Sequence, residues 1–204
     1  VGFVGHANSG VLNYIKSYLR HLKLKFKYFL KPRHYDRQNF YPSSIKRATY
    51  LNKLKQGKGL NTDFVFRNKY RAGIENEISK LQTTEVFYNN IFNNIYTFCI
   101  RGFGNFSVRF YETLAVGRIP VLLNTDCRLP LTDSIDWKKH VVILNESKKE
   151  SLVKQILDYH NSKSNNEIMI IQKNNRLLWE AYLRRHSFFM KVHDEFTSNP
   201  KDDE

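Results

Sequence analysis

The chain has 204 residues, 41% of them hydrophobic and 14% aromatic, and a formal net charge of +14 at pH 7. This composition excludes a disordered chain, and the length allows one sizeable α/β core. No apolar run approaches the roughly 18 residues that a membrane span needs. Cys99 and Cys127 lack the spacing of a structural zinc site, so both are expected to be buried free thiols.

Much of the basic excess lies in residues 16–71. Such a surface suits nucleic acid, an acidic glycan acceptor or anionic lipid. The alternative is a solvated surface of a lysine- and asparagine-rich protein. Because no nucleic-acid motif accompanies the charge, nucleic acid is not expected as a partner. Peripheral membrane association through the basic surface stays open.

The first part of the chain has the pattern of an α/β unit. Residues 2–6 predict a strand, residues 7–10 a turn, and residues 11–21 a helix for which Ser9 is the expected cap. The alternation LKLKFKYFL at 22–30 predicts a half-exposed strand. The next predicted elements are, in order, a loop (31–43), a helix (43–55), a strand (62–68), a helix (84–94) and a strand (96–100).

Two residues near the ends of these strands are candidates for a binding site. Ligands of α/β folds collect at the carboxyl ends of strands, and His6 ends the first one. The alternative for His6 is a turn histidine bonded to the backbone. Arg71 follows the strand at 62–68 and is placed, on position alone, to reach a phosphate.

The most informative stretch is 99–123, CIRGFGNFSVRFYETLAVGRIPVLL. It predicts a strand that ends at Arg101, a glycine loop through Gly102 and Gly104, a helix between Ser107 and Gly117, and a strand at 119–123. A glycine loop that leads into a helix presents unpaired backbone N–H groups and the positive end of the helix dipole.

This arrangement suits a diphosphate with a ribose attached. Arg101 and Arg109 are expected to hold the phosphates through their guanidinium forks. Glu112 lies three residues after Arg109 on the same helix face, where a carboxylate can accept hydrogen bonds from ribose hydroxyls. The alternative is an ordinary α/β turn with a surface ion pair between Arg109 and Glu112, because a lone Gly-x-Gly is a weak signal.

Behind this motif, the sequence predicts a strand at 140–144, a helix that is capped at 145–147 and runs to about 160, and two further helices. Those helices are expected at 167–184 and 187–196. The predicted organisation is therefore an α/β domain over residues 1–160, a C-terminal helical extension over 161–197 and a frayed tail over 198–204.

The run RGFGNFSVRFYETLAVGRIPVLLNTDCRLPL resembles the signature of the exostosin family of glycosyltransferases. The similarity continues into Ile135-Asp136-Trp137 and has a counterpart in Gly2-Phe3-Val4-Gly5. It implies a GT-B fold, whose C-terminal Rossmann-like domain, a parallel sheet with flanking helices, holds the nucleotide sugar. The chain is expected to be this C-terminal half, without the N-terminal acceptor domain.

The resemblance also implies roles for single residues. Glu112 matches the carboxylate on the donor ribose, and Arg101 and Arg109 match the arginines beside the phosphates. The loop that lets the backbone approach the donor is matched by Gly102, Gly104, Asn105 and Ser107. The implied reaction transfers a hexose or pentose from a UDP- or GDP-linked sugar to a glycan or another hydroxyl acceptor, with no separate cofactor.

The departing diphosphate needs positive charge, from a divalent metal or from fixed groups. The chain has no Asp-x-Asp motif. We therefore expect no metal site, and stabilisation by Arg101, Arg109 and the helix that follows. An inverting transfer also needs a general base, to which the sequence assigns no residue.

Two other interpretations stay open. One is a non-catalytic basic module for nucleic acid or polyanionic glycan, whose affinity would depend steeply on salt and not on Glu112. The other is a different GT-B transferase, such as a fucosyltransferase. The expected compartment is the Golgi lumen for a eukaryotic source and the cytoplasm for a bacterial or viral one.

Overall fold

The computed structural model describes residues 1–31, 39–67, 76–102, 104–148 and 150–198. Within these ranges one parallel sheet has the strand order β2-β1-β3-β4-β5. The strands are β1 (Gly2–His6), β2 (Asp63–Arg67), β3 (Tyr96–Cys99), β4 (Ile119–Leu123) and β5 (Val142–Leu144). This confirms the predicted α/β class with a Rossmann-like parallel sheet.

Helices connect the strands and cover both faces of the sheet. They are α1 (Val11–Leu30), α2 (Ser43–Lys55), α3 (Glu77–Asn93), α4 (Val108–Ala115), α5 (Leu152–Asn161), α6 (Asn165–Leu178) and α7 (Arg185–Ser198). A 3₁₀ turn spans Trp137–Lys139, and a π-helical turn spans Trp179–Leu183. None of the helices in the described ranges is long and apolar enough to cross a membrane.

The buried side chains form two hydrophobic clusters, one on each face of the sheet. Phe98 of β3 packs with Leu51 of α2 and Ile156 of α5 in the first cluster. Cys99, the next residue of β3, packs with Leu114 of α4 in the second. Because successive residues of a strand point to opposite faces, a strand buried on both sides reads as a continuous apolar run.

The neighbouring strands β1 and β3 separate toward their carboxyl ends. β1 pairs with β2 along its whole length but with β3 only at Gly2 and Thr97. The chain leaves β1 toward one side of the sheet and continues from β3 toward the other. The carboxyl ends of β1 and β3 therefore flank a topological switch point, where open α/β sheets bind their ligands.

The strand predicted at 22–30 is wrong, because these residues continue α1 to Leu30. Lysines alternate with apolar residues here, but the apolar positions also recur at helical spacing, and the longer pattern determines the structure. The predicted helix at 84–94 begins earlier, at Glu77, where the Asn76 side chain accepts a hydrogen bond from the Ser79 N–H. The next helix predicted from 145–147 begins later, after the cap at Ser151.

The helices after residue 160 pack on the sheet domain. α6 contacts α4 and β4, and its buried Asn175 donates hydrogen bonds to the carbonyl oxygens of Arg118 and His140. The Asn175 amide oxygen lies 2.8 Å from Nδ1 of His140. The division into a 1–160 domain and a 161–197 extension stays a prediction.

Candidate functional site

The loop after β1 is fixed to the first turns of α2. Arg47 Nη1 donates to the His6 carbonyl oxygen at 2.6 Å. The Ser44 hydroxyl lies 3.2 Å from Nδ1 of His6 and accepts from the Asn8 N–H at 3.0 Å. The ring of His6 therefore contacts a side chain, not only the backbone as in the turn alternative. These bonds hold the candidate His6 at the carboxyl edge of the sheet.

The glycine loop after β3 is fixed to the loop after β4. The Asn105 amide donates to the Thr125 carbonyl oxygen at 2.9 Å and accepts from the Thr125 hydroxyl at 2.8 Å. A Cβ built on Gly102 would meet no described atom within 4 Å, whereas one on Gly104 would lie 2.7 Å from the Phe106 ring. Gly102 therefore leaves open space beside its backbone, where a ligand can approach closely.

Ser107 occupies the N-cap position of α4, as predicted, but its side chain makes no capping hydrogen bond. Its hydroxyl instead lowers the pKa of the buried Cys99 thiol, against the larger effect of burial. This thiol does not act as a nucleophile in its resting state, because burial raises the pKa of Cys99 to about 12.

Arg101 lies at the carboxyl end of β3 and is only 9% exposed. Its guanidinium carbon stands 4.5 Å from the ring centroid of Tyr41, within the range of a cation–π contact. Burial raises the pKa of Tyr41 to about 12, against the opposing effect of the Arg101 and Arg47 charges. Burial also lowers the pKa of Arg101, so its charge is partly desolvated.

Arg109 fills the gap between β1 and β3. Its Nη2 donates to the Val4 carbonyl oxygen at 2.5 Å, and its guanidinium carbon lies 4.1 Å from the Phe3 ring centroid. A Cβ on Gly5 would come within 3.0 Å of this nitrogen. Burial lowers the pKa of Arg109 to about 10, and the Arg47 and Arg67 cations act in the same direction.

Glu112 lies one turn further along α4 and is half-buried. Burial raises its pKa, and the nearby Arg109 charge opposes the shift. Its charge also acts on Tyr88 of α3. Arg109 and Glu112 form no ion pair in this part of the described chain, so the surface-pair alternative is not the one observed.

The structure brings the described candidate residues to one edge of the sheet, where the charges of Arg101 and Arg47 both act on Tyr41. Arg109 interacts electrostatically with Glu112, Arg47 and Arg67, whereas Arg101 interacts with Tyr41 and Cys127. Their predicted roles toward a donor stay predictions. Arg71 lies outside the described residues.

Four residues of this edge were missed by sequence reasoning. Arg67 ends β2, so the rule that selected His6 would have found it. Arg47 and Tyr41 carry no local signal, since only the folded topology brings them to this edge. Glu146 accepts a 2.6 Å hydrogen bond from the Tyr50 hydroxyl, and its position also depends on tertiary structure.

The arrangement is suited to an anion. The charges of Arg47 and Arg67 both act on the Arg109 guanidinium, and no described carboxylate forms an ion pair with Arg67 or Arg109. A bound phosphate group would offset this repulsion in a partly desolvated site. No group of three or more His, Cys, Asp or Glu side chains in the described ranges is placed to hold a metal ion.

An open cleft of about 840 Å³ lies between the C-terminal end of α2 and the N-terminal end of α5. It shares Glu146 with the carboxyl edge but is lined by none of the predicted donor residues. The candidate site is therefore a polar surface at the switch point, distinct from this cleft.

Comparison with known proteins gives a family match over most of the same region. A model of the Exostosin GT47 domain matches residues 37–159. Exostosin-1b of Danio rerio is 32% identical over 108 residues, which cover 52% of this chain and 13% of that protein. Exostosin-1 of Drosophila melanogaster is 36% identical over 88 residues, 42% of this chain and 11% of that protein. Exostosin-1 of Bos taurus is 32% identical over 97 residues, which cover 47% of this chain and 12% of that protein. The matches thus span a small part of each relative.

Proposed function

The chain belongs to the exostosin GT47 family, and on this premise we propose that it is the donor-binding part of a glycosyltransferase. The proposed reaction transfers a hexose or pentose from a UDP- or GDP-linked sugar to a glycan or another hydroxyl acceptor. The observation that carries the proposal is that the nearly buried Arg101 adjoins Gly102, which leaves open space beside its backbone, at the switch point where Arg109 bonds the β1 backbone. Positive groups of this kind suit a diphosphate.

Each group has a proposed role. The backbone at Gly102 and the guanidinium of Arg101 contact the diphosphate, and the carboxylate of Glu112 accepts hydrogen bonds from the ribose. Arg109 holds β1 through the Val4 carbonyl and adds positive charge below the phosphates. As the bond to the sugar breaks, negative charge grows on the leaving diphosphate, and fixed cations stabilise that charge without reorganisation.

Metal-independent leaving-group stabilisation is part of this proposal. Its support is the number of arginines that share the carboxyl edge, Arg47 and Arg67 in addition to the two expected ones. Equal nucleotide binding with excess EDTA and with Mg²⁺ or Mn²⁺ is the expected result. Binding that requires either metal would contradict this part of the proposal and leave the donor site itself intact.

The test of donor binding is a thermal-shift titration with UDP, GDP and their sugar conjugates. A ligand of the folded state raises the melting temperature with concentration by mass action. We expect this shift in the wild-type chain and a much smaller one in Arg101→Gln. The matched control is Arg185→Gln, which removes an exposed cation of α7 far from the edge.

Two results would contradict donor binding. One is the absence of a shift with every nucleotide. The other is a shift that inorganic polyphosphate reproduces and that salt abolishes equally in all variants, as the basic-module alternative requires.

The compartment follows from the source of the chain, and the animal origin of the relatives favours the Golgi lumen over a bacterial or viral cytoplasm.

A further inference from the structure

The first helix, α1, contributes no residue to the buried core. One side of α1 faces the rest of the chain, and its members are half-buried: Asn13, Ser17, His21, Leu24 and Tyr28. On this side the Phe40 ring packs against Tyr14, Tyr18 and His21 with centroid distances of 5.5, 5.6 and 5.4 Å. The inner side of α1 is therefore the more polar one.

The opposite side of α1 is apolar and faces outward. At about 100° per residue, its eight members fall within an arc of about 100°, centred opposite the inner side. The exposed fraction reaches 83% at Phe29 and 72% at Leu12. The members of this apolar arc are Val11, Leu12, Ile15, Leu19, Leu22, Phe26, Phe29 and Leu30. A surface helix normally buries such a face, so this one is arranged for a partner.

Cations border the apolar arc, and acids are absent from the helix. Lys16, Arg20, Lys23 and Lys27 lie along one edge of the arc, and Lys25 lies beyond the other. Residues 11–30 contain no Asp or Glu. The partner that fits must accept apolar side chains and carry negative charge beside them.

We propose that α1 docks the protein peripherally on a membrane surface that contains anionic lipid. An apolar arc with Lys and Arg at its margins is the pattern of a helix that lies in the interfacial plane, with its apolar side in the acyl boundary and its cations at the headgroups. A second copy of the chain fits less well, since two such helices would bring ten cations together. Nucleic acid would leave the apolar arc without a partner.

The test is flotation of the full chain with vesicles of phosphatidylcholine alone and of an equimolar mixture with phosphatidylserine. Leu19→Gln with Phe26→Gln removes two members of the arc, and we expect vesicle partitioning to fall at least about tenfold. The matched control is Ile78→Gln with Leu81→Gln on α3, which replaces two side chains that are also highly exposed. The fold is expected to persist in both, because the substituted side chains lie at the surface, and circular dichroism checks this.

A second pair of variants tests the charge. Lys16→Gln, Arg20→Gln and Lys23→Gln together should lower binding to the anionic vesicles about five-fold for each cation removed. The control removes three exposed lysines elsewhere, Lys138→Gln, Lys148→Gln and Lys173→Gln, and should retain most of the binding. Neutral vesicles should bind the wild type weakly.

Three outcomes would overturn the proposal. They are no binding to either vesicle, binding that is insensitive to the Leu19 and Phe26 changes, and light scattering that shows a dimer in solution that these changes dissociate. The second result would indicate simple adsorption of a basic protein, and the third would assign the apolar arc to a second copy.

Discussion

Burial of the Arg109 guanidinium costs folding free energy and places a positive charge at the candidate site. Burial lowers its pKa to about 10, and since a pKa unit corresponds to about 1.4 kcal/mol, this burial costs on the order of 3 kcal/mol. Its hydrogen bond to Val4 recovers about 1.5–3 kcal/mol. The two effects nearly cancel, so the charge of Arg109 adds little to the stability of the fold.

We therefore expect Arg109→Met to change the free energy of unfolding by less than about 1 kcal/mol, because Met keeps the packing on Phe3 and removes a buried charge. Nucleotide affinity should fall. Urea unfolding and a nucleotide titration measure the two quantities, with the core change Leu114→Ala as a reference that costs about 2–5 kcal/mol. A large loss of stability with unchanged affinity would make Arg109 purely structural.

Glu112 gives a pH-dependent prediction. Burial raises its folded-state pKa above the usual value, so the protonated acid is the form that folding favours. The stability that Glu112 contributes is fully present below the unfolded-state pKa and is lost as pH rises through the raised folded-state pKa. Glu112→Gln cannot ionise, so its stability relative to the wild type should increase as pH rises above about 4.3, the usual pKa of a glutamate side chain.

Urea unfolding at several pH values measures this difference, and Glu85→Gln, an exposed carboxylate of α3, is the matched control. If the wild type and Glu112→Gln keep the same difference in unfolding free energy across the range, the Glu112 carboxylate is solvated and not held in a partly desolvated site.

At the scale of elements, a buried amide joins α6 to the sheet domain beside its core residues Ile168 and Leu178. Asn175 bonds two backbone carbonyl groups and the His140 ring. Asn175→Leu would leave these groups buried without partners, and we expect a loss on the order of 3 kcal/mol in the free energy of unfolding. The neighbouring Asn174 is exposed, and Asn174→Leu should stay within about 0.5 kcal/mol of the wild type. If the two substitutions change the free energy of unfolding equally, the bonds of Asn175 do not fix α6 to the sheet domain.

The helix α1 should be the opposite case. It buries no residue, whereas α4 and β3 lie in the two core clusters. Local opening costs little free energy where few apolar contacts are lost. In the absence of lipid, we expect the backbone amides of α1 to exchange with deuterium much faster than those of α4 and β3. If the amides of α1 and α4 are equally protected from exchange, α1 makes a stabilising contact that its exposed apolar arc does not suggest.

The elements differ in how far sequence patterns determine them. The glycine loop and α4 were predictable, since Gly102, Ser107 and Gly117 are local signals for a turn, a cap and a helix end. The second half of α1 was not, because residues 22–30 satisfy both a strand period and a helix period. At the site, Arg47 was beyond prediction, since its approach to His6 joins residues 41 positions apart and depends on the strand order.

For the whole molecule, two cationic surfaces with different proposed partners carry part of the net charge of +14. Arg47, Arg67 and Arg109 at the carboxyl edge are at least partly buried and donate to backbone carbonyl oxygens, which suits a small anion. The cations of α1 are exposed and border apolar side chains, which suits a lipid surface. Salt should weaken the second interaction more than the first, because exposed charges are screened and buried ones much less.

The most direct test of the central claim is calorimetric titration of the wild type and Glu112→Gln with UDP and with 2′-deoxy-UDP. If the Glu112 carboxylate holds the ribose, the wild type should bind UDP about tenfold more tightly than the deoxy compound, because a hydrogen bond to a charged group is lost. Glu112→Gln should bind both compounds with similar, weaker affinity. Failure of the wild type to bind either UDP or GDP, or the same preference for UDP over the deoxy compound in both proteins, would contradict a donor site at the switch point.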